Sequence, residues 1–550
     1  MNEKKERQAA AGAYLGPPTA PAPRPATTFC VMLASLPAPA ARQYLGWLLI
    51  FVVIKLVLQY LVIHPVYELH RDEFLHLDQA NHLAAGYVSV PPLTAWVARL
   101  IQLLGNSEFW VRFFPALFGA LTMSVVWAAV HELGGGLYAK ILAVSAVLLS
   151  AILRLNQLFQ PNSFDVLAWT SAYYCLLRLV RGGQGRWAVG LGVAVGLGML
   201  NKYNLVFWAA GVVPALLLTP ARRLLWQPHT YLAALVALQV FLPNLLWQYQ
   251  HHWPVLWHMQ ELQKSQLVHV DRADFLKEQL LFFLNSLVVL GAAAVGLVRY
   301  RPLRPYRFVG LAVLFSLLLF VAMQAKGYYA IGLYPILLAI GSVYLEHVLQ
   351  YGWKRYLRPV MLVLLALLFL PLLWLAFPLK TPEQIRQNPA AYEKIGLLRW
   401  EDGKNHALPQ DFADMISWRE MANLARQGYQ QLTPTEQQHL LIITDNYGEA
   451  GALNFYNHGR MPAAVSYNAD YAYWFPSLEN VQVVMLVTED PLEADDAVHF
   501  ASSTLVGKVQ NPLAREKGTA VYVLRQPDSA IIEEVRQQVQ DEQRRMRGLP

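Results

Sequence analysis

The sequence predicts a polytopic α-helical membrane protein of about eleven transmembrane helices with a C-terminal soluble α/β domain. Three observations carry this. Hydrophobic residues make up 55% of the 550-residue chain and charged residues 15%, whereas a soluble domain carries roughly 25% charged residues. Mean hydropathy is +0.29, although the two ends of the chain are polar. The uncharged runs recur between residues 43 and 378, and beyond Pro378 they shorten to strand length while Asp, Glu, Gln and Asn become frequent.

Taken in order, residues 1–42 are rich in Ala and Pro, with scattered Lys and Arg and no compact apolar stretch followed by a cleavage site. That composition reads as a disordered cytoplasmic tail, not a signal peptide. A span needs about 20 mostly apolar residues. Segments near 43–64, 111–130, 137–153, 163–180, 187–200, 204–219, 230–247, 275–298, 308–323, 328–345 and 359–378 meet that test to varying degrees. In or beside alternate connections lie Arg178, Arg181 and Arg186, then Arg222 and Arg223, then Arg299, Arg301, Arg304 and Arg307, then Lys354, Arg355 and Arg358. Such basic connections stay in the cytoplasm. This orientation, in the cytoplasmic (inner) membrane, puts the N-terminus in the cytoplasm and the C-terminus outside. Residues 379–550 form the extracytoplasmic domain, with strands expected at Leu440–Thr444, 481–487 and 519–524, a helix over 411–427, and a solvated helix or frayed tail at the end.

Some functions are excluded at once. The net charge of +7 is dispersed in short clusters between apolar runs, which is a topology signal and no surface for nucleic acid. Cys30 and Cys175 have neither metal-ligand nor disulfide-framework spacing.

The outward connections hold the residues suited to chemistry. The first, near 65–110, begins with His70-Arg71-Asp72-Glu73. A partly desolvated carboxylate there can take the proton of an attacking hydroxyl, and a neighbouring acid or cation tunes it. An ordinary solvated loop acid is the other reading. Asp165 opens the fourth span, Lys202 lies between the fifth and sixth, and Lys326 between the ninth and tenth, all at the same face. Acid and lysine from separate connections suit an anionic headgroup beside an activated nucleophile. Snorkelling to lipid phosphate also accounts for each lysine. His251 and His252 are candidates for a phosphate or cation contact, against a simple interfacial aromatic-histidine belt. The glycines between 190 and 201 lie within a span and suit close helix packing. Pro91-Pro92 precedes an amphipathic segment, 93–104, that suits the interface plane or a reentrant linker.

With these residues in view, the chain resembles the bacterial relatives of protein O-mannosyltransferases. These are the membrane-embedded glycosyltransferase family 39 group of GT-C architecture, whose superfamily includes lipid A aminoarabinose transferase. The resemblance rests on His70-Arg71-Asp72-Glu73, Gly86-Tyr87 with Pro91-Pro92-Leu93, Asn201-Lys202-Tyr203, and Ala325-Lys326-Gly327-Tyr328-Tyr329 followed by Tyr334-Pro335. Asp445-Asn446-Tyr447-Gly448-Glu449-Ala450 extends it downstream. It implies a hexosyl or pentosyl transferase that uses a polyprenyl-phosphate sugar donor and an envelope lipid, glycan or protein acceptor at the outer membrane face. Asp72 is then the general base, with Glu73 its neighbour and Asp165 a second acid. Lys202 and Lys326 serve the lipid phosphate, and Tyr87, Tyr328, His251 and His252 line the substrate site. No cofactor is required by the sequence. A divalent cation bridging Asp72 or Asp165 to phosphate is compatible with it, with no metal ligands identified. The aromatic run from Tyr467 to Phe475 suits either stacking on a sugar or packing in the soluble domain. A polytopic transporter or flippase of envelope lipids or glycans is the alternative, and a noncatalytic envelope scaffold a third. A transporter's sites lie near the bilayer midplane in paired repeats, whereas these charges gather at one face.

Overall fold

The structure, a computed structural model, describes residues 44–548, so the expected tail over 1–42 and Cys30 lie outside the described residues. Each expected apolar segment falls on a helix: Leu45–Leu61, Glu108–Glu132, Leu137–Leu148, Asn162–Val180, Gly185–Asn201, Leu205–Leu217, Pro228–Gln250, Leu287–Arg299, Arg307–Ala322, Tyr334–Val348 and Leu357–Ala376. Among the described residues, five stretches are long and apolar enough to cross a bilayer, or seven if each of two bent pairs counts as one span. The bends are 115° between Leu205–Leu217 and Pro220–Trp226, and 65° between Arg272–Phe282 and Leu284–Arg299. The expected count of about eleven is therefore not reproduced by length and composition. Leu137–Leu148 is short, and Asn162–Val180 turns Ser163, Asp165, Thr170 and Ser171 inward, which lowers its hydropathy. A helix inside a bundle needs no wholly apolar surface.

Small residues let these helices approach. An added Cβ at Gly192 or Gly196 would come within 2.6 Å of Val236 or Val240 on Pro228–Gln250. An added Cβ would come closer still at Gly341, to the Val289 carbonyl, and at Gly211, to Ser316. The glycine-rich stretch thus serves helix packing.

The first long connection folds into two helices, Arg71–Asp78 and Leu93–Leu103. The second starts immediately after Pro91-Pro92, whose fixed φ suits a helix entrance. It buries Thr94, Ala95, Ala98 and Ile101 and exposes Trp96, Leu100 and Leu103. That apolar outer face is what an interface-lying helix requires.

Beyond Ala376 the chain builds a five-stranded sheet from β1 (Leu440–Thr444), β2 (Ala464–Ser466), β3 (Val483–Thr488), β4 (Phe500–Lys508) and β5 (Ala520–Pro527), in the order β2-β1-β3-β5-β4. β1 pairs in parallel with β2 and β3, while β5 is antiparallel to β3 and β4. The sequence placed β1, β3 and β5. It missed β2, which has three residues, and β4, whose side chains are mostly exposed. The expected helix over 411–427 is broken: Gln410–Ala413 and Trp418–Gln430 meet at Ser417, which has φ 73°. The terminal helix Ser529–Met546 is docked, burying Val535, Val539 and Met546.

One hydrophobic core joins the first connection to the C-terminal domain. Tyr67, Leu69, Phe74 and Phe159 pack in the same buried cluster as Trp418, Met421, Ile442 and Met485. The loop is thus part of the domain's core, although the composition changes at residue 378.

Candidate active site

The site begins at the helix Arg71–Asp78. His70 is its N-cap, and Glu73 closes a capping box from the third helical position. Glu73 is 1% exposed, and its two carboxylate oxygens accept the backbone N–H groups of His70 and Phe159, each at 2.6 Å. This acid locks the loop to the chain entering the fourth span. Both of its oxygens accept backbone N–H groups, which gives it a positioning role in the loop.

Asp72 points the other way. Its Oδ1 accepts the Tyr447 hydroxyl at 2.7 Å and its Oδ2 accepts the Gln160 amide at 3.0 Å. Burial pushes its pKa up, but the His70 imidazole, the Tyr447 hydroxyl and the Arg71 guanidinium push it down and prevail, so the carboxyl lies below its ordinary value. A carboxylate held in its ionised form, with a second lone pair left on each oxygen, can accept an acceptor's proton.

Tyr447 comes from the C-terminal domain. Asn446 caps the helix Tyr447–Tyr456, again with a reciprocal box through Glu449. The approach depends on glycine. An added Cβ at Gly448 would lie 2.5 Å from Arg71 Cγ, and one at Gly451 would lie 2.7 Å from Phe74 Cβ. Arg71 lies over the Tyr447 ring at 4.5 Å.

From Asp72 a hydrogen-bonded row leads to Lys202. Gln160 Nε2 donates to Asp72, Asn162 Nδ2 donates to Gln160 Oε1 at 2.9 Å, and Lys202 Nζ donates to Asn162 Oδ1 at 2.8 Å. The segment Asn201-Lys202-Tyr203-Asn204 is tied down residue by residue: Asn201 to the Pro161 carbonyl, Tyr203 to Asn244, and Asn204 to Asp165 and the Tyr329 carbonyl. Lys202 Nζ lies 4.2 Å from the Tyr329 ring centre and 5.1 Å from that of Tyr328. Burial pushes its pKa down to about 8, against the pull of Asp165 and with a further push from Lys326.

Lys326 reaches the same region from the ninth connection. It pairs with Glu401 and donates to Gln266 Oε1 at 2.6 Å. Burial lowers its pKa, but Glu401 and Tyr329, with Asp72 behind them, raise it further, so it stays charged. The Asp72 charge also reaches Glu401. Beside Lys326, His258 is pushed down to about 4 by burial and by the lysine, and is neutral. Asp72, Lys202, Lys326 and Tyr328 are therefore brought together.

Other expected residues have different work. Asp165 is 4% exposed and its oxygens accept Trp169 Nε1 at 3.0 Å and Asn204 Nδ2 at 2.8 Å. It positions the lysine segment. Tyr87 is buried, and its hydroxyl donates to the Gln79 and His82 carbonyls within the loop, so it plugs the loop and lines no open cleft. His251 stacks on Trp247 at 4.1 Å and bonds the Trp247 carbonyl. His252 takes φ 61° at that helix end. No hydrogen bond or ion pair among the described residues joins either histidine to Asp72 or the lysines, which is the interfacial-belt reading. The aromatic run packs: Tyr471 is buried, Tyr467 stacks on Phe475, and Trp474 stacks on His82 of the loop at 4.2 Å. Residues missed by the sequence reading are Tyr447, Gln160, Asn162 and Glu401. Only Tyr447 lay in a motif already noticed.

Asp72 and Asp165 each accept two side-chain hydrogen bonds from the protein. In the C-terminal domain, Glu449, Glu489 and Glu516 bring one carboxylate oxygen each within 4.8 Å of one another.

Residues 89–247 match the family described as dolichyl-phosphate-mannose-protein mannosyltransferase. The lipid A galacturonosyltransferase RgtD of Rhizobium johnstonii is 30% identical over 198 residues, which is 35% of this chain and 41% of that protein. The chain thus spans less than half of that relative in the matched region. The crystal structure of ArnT from Cupriavidus metallidurans bound to undecaprenyl phosphate superposes with a TM-score of 0.58 at 17% identity, covering 87% of this chain and 98% of that one. The apo state of the same protein gives 0.57 over 88% and 98%. The resemblance is thus found in the family match over residues 89–247 and in the fold. The chain is a multi-pass membrane protein with the fold of ArnT.

Proposed function

We propose that this protein transfers a sugar from a polyprenyl-phosphate carrier to a lipid acceptor at the outer face of the cytoplasmic membrane, with Asp72 as general base. The observation that carries this is the row from the Asp72 carboxylate through Gln160 and Asn162 to the Lys202 ammonium. It places a proton acceptor and a cation in one hydrogen-bonded unit, which are the two charges that glycosyl transfer from a phosphate needs.

In the reaction the acceptor oxygen or nitrogen attacks the anomeric carbon. The bond from that carbon to the phosphate oxygen breaks, and its electron pair leaves with polyprenyl phosphate. The acceptor's proton passes to Asp72. Negative charge grows on the departing phosphate, where Lys202 and Lys326 stabilise it. A phosphate needs no protonation to leave, so a single carboxylate suffices and direct displacement inverts the anomeric centre. Tyr328 and Tyr329 hold the lysine and offer ring faces to a sugar or isoprenoid.

The donor class is supported by the undecaprenyl phosphate of the ArnT structure, and a lipid A-type acceptor by the description of the rhizobial relative. The exposed apolar face of Leu93–Leu103 suits an acceptor that arrives from the bilayer. The outer-face assignment rests on the arginine asymmetry. Asp165 and Arg181 mark opposite ends of one helix, about 24 Å apart at 1.5 Å per residue, and Arg178 and Arg181 pair with Glu132 at the far end. The transporter reading gains no support from the matched relatives.

Mass spectrometry of lipid A, envelope glycans and envelope proteins from cells with and without this protein tests the proposal. A sugar missing from lipid A and restored by the intact chain is expected. An unchanged lipid A with a lost sugar on protein would reassign the acceptor, and no change in any fraction would reject the reading.

A further inference from the structure

We infer that the C-terminal domain binds a single calcium ion through Glu449, Glu489 and Glu516. One oxygen from each lies within 4.8 Å of the other two. Calcium takes carboxylate oxygens at 2.3–2.6 Å, so two ligands on opposite sides of it stand about 5 Å apart. Magnesium, at 2.0–2.1 Å, keeps several waters and is usually held by one or two carboxylates. Three carboxylates with an exposed edge suit the ion that takes more protein oxygens and sheds its water more readily.

The oxygens are also unspent. Glu516 is 2% exposed and neither of its oxygens has a hydrogen-bond partner, while Glu449 is fully buried with Oε1 unpartnered. Its Oε2 is occupied, accepting the amides of Asp445 and Asn446. Three buried carboxylate oxygens with no donor are costly unless a cation or a shared proton meets them. Arg71 and Arg515 lie near enough for their charges to reach Glu516, but neither donates a hydrogen bond to it: Arg515 pairs with Asp414, and Arg71 lies over Tyr447. Asp445, whose Oδ2 accepts the Glu489 amide at 2.8 Å, adds a further negative charge.

The fold explains the convergence. β1 and β3 are parallel neighbours in register from Leu440↔Val483 to Thr444↔Val487. Glu449 follows β1 and Glu489 follows β3, so both lie beyond the carboxyl ends of parallel strands, where α/β sheets bind their ligands. Glu516 enters from the β4–β5 connection, and the exposed Glu489 leaves a way in. Glu449 shares its helix with Tyr447, whose hydroxyl holds Asp72. The ion therefore fixes the helix end that completes the membrane-side site, and its binding is independent of which reaction that site performs.

The test uses the full-length protein in detergent, stripped with EDTA and titrated with CaCl₂ or MgCl₂ alone by calorimetry, with thermal unfolding in parallel. One Ca²⁺ per chain is expected, with a rise in Tm and at least tenfold weaker Mg²⁺ binding. Glu516→Gln and the surface variant Glu489→Gln should each weaken Ca²⁺ at least tenfold. Glu489→Gln keeps the test decisive if the buried variant fails to fold. No Ca²⁺ binding by the wild type, or unchanged affinity in Glu489→Gln, would overturn the inference. So would a Tm that follows pH alone and ignores Ca²⁺, since two carboxyls sharing a proton would then account for the cluster.

Discussion

Asp72 and Lys202 are the two ends of one hydrogen-bonded row whose links are the amides of Gln160 and Asn162. Every donor in the row faces the carboxylate, from ammonium to amide to amide. Such a chain polarises cooperatively, so a change at one end is felt at the other. Gln160→Leu should lower kcat and raise KM for the donor, whereas losing a mere packing residue would lower only Tm. A double-mutant cycle with Asn162→Leu should show strong non-additivity, and additive effects would dissolve the row as a functional unit.

Tyr447→Phe removes the hydroxyl that donates to Asp72 Oδ1 while keeping the ring beneath Arg71. A hydrogen bond to a charged group contributes about 1.5–3 kcal/mol. The loss should raise the Asp72 pKa. That pKa starts below its ordinary value, so the variant's acid limb should move upward from the wild type's in a pH–kcat/KM profile.

Lys202 titrates near pH 8. It is charged below that value and neutral above it, and a phosphodiester stays anionic throughout. Donor affinity should therefore fall as pH rises through about 8. Lys202→Arg, charged at every accessible pH, should flatten that fall even if it lowers the maximum rate.

Glu73→Gln offers one carbonyl oxygen and two donors to a pair of backbone N–H groups. At least one amide is left facing a donor, which costs about 1–3 kcal/mol. Calorimetry should show a lower Tm, and turnover per folded molecule should be nearly unchanged. A large loss of kcat with normal Tm would restore Glu73 to the chemistry.

Orientation is testable with single cysteines in a Cys30→Ser background, since Cys175 is buried. Arg222→Cys and Val498→Cys replace exposed residues. An impermeant maleimide should label only the second in intact cells. Labelling of both, or of the first alone, would discard the assigned topology.

The helical membrane portion was legible because twenty-residue apolar runs and arginine asymmetry are local signals. The span count was less so, since buried helices such as Asn162–Val180 are free to carry polar residues on faces that never meet lipid. Asp72, Lys202 and Lys326 were found because each is an ionisable residue at a span boundary. Gln160 and Asn162 were not: an amide in a short turn carries no pattern, and its role exists only once the loop and the fourth span meet. Glu73 and Asp72 are adjacent and alike in sequence. The capping geometry alone separates the structural acid from the one facing the lysines.

The most direct measurement is polyprenyl phosphate release by the purified chain, supplied with polyprenyl-phosphate sugars and a lipid A fraction, comparing wild type with Asp72→Asn at equal folded concentration. Loss of a general base predicts a fall of about 10²-fold or more. Equal release by the two proteins would contradict the assignment of Asp72 and leave the proposed transfer without its proton acceptor.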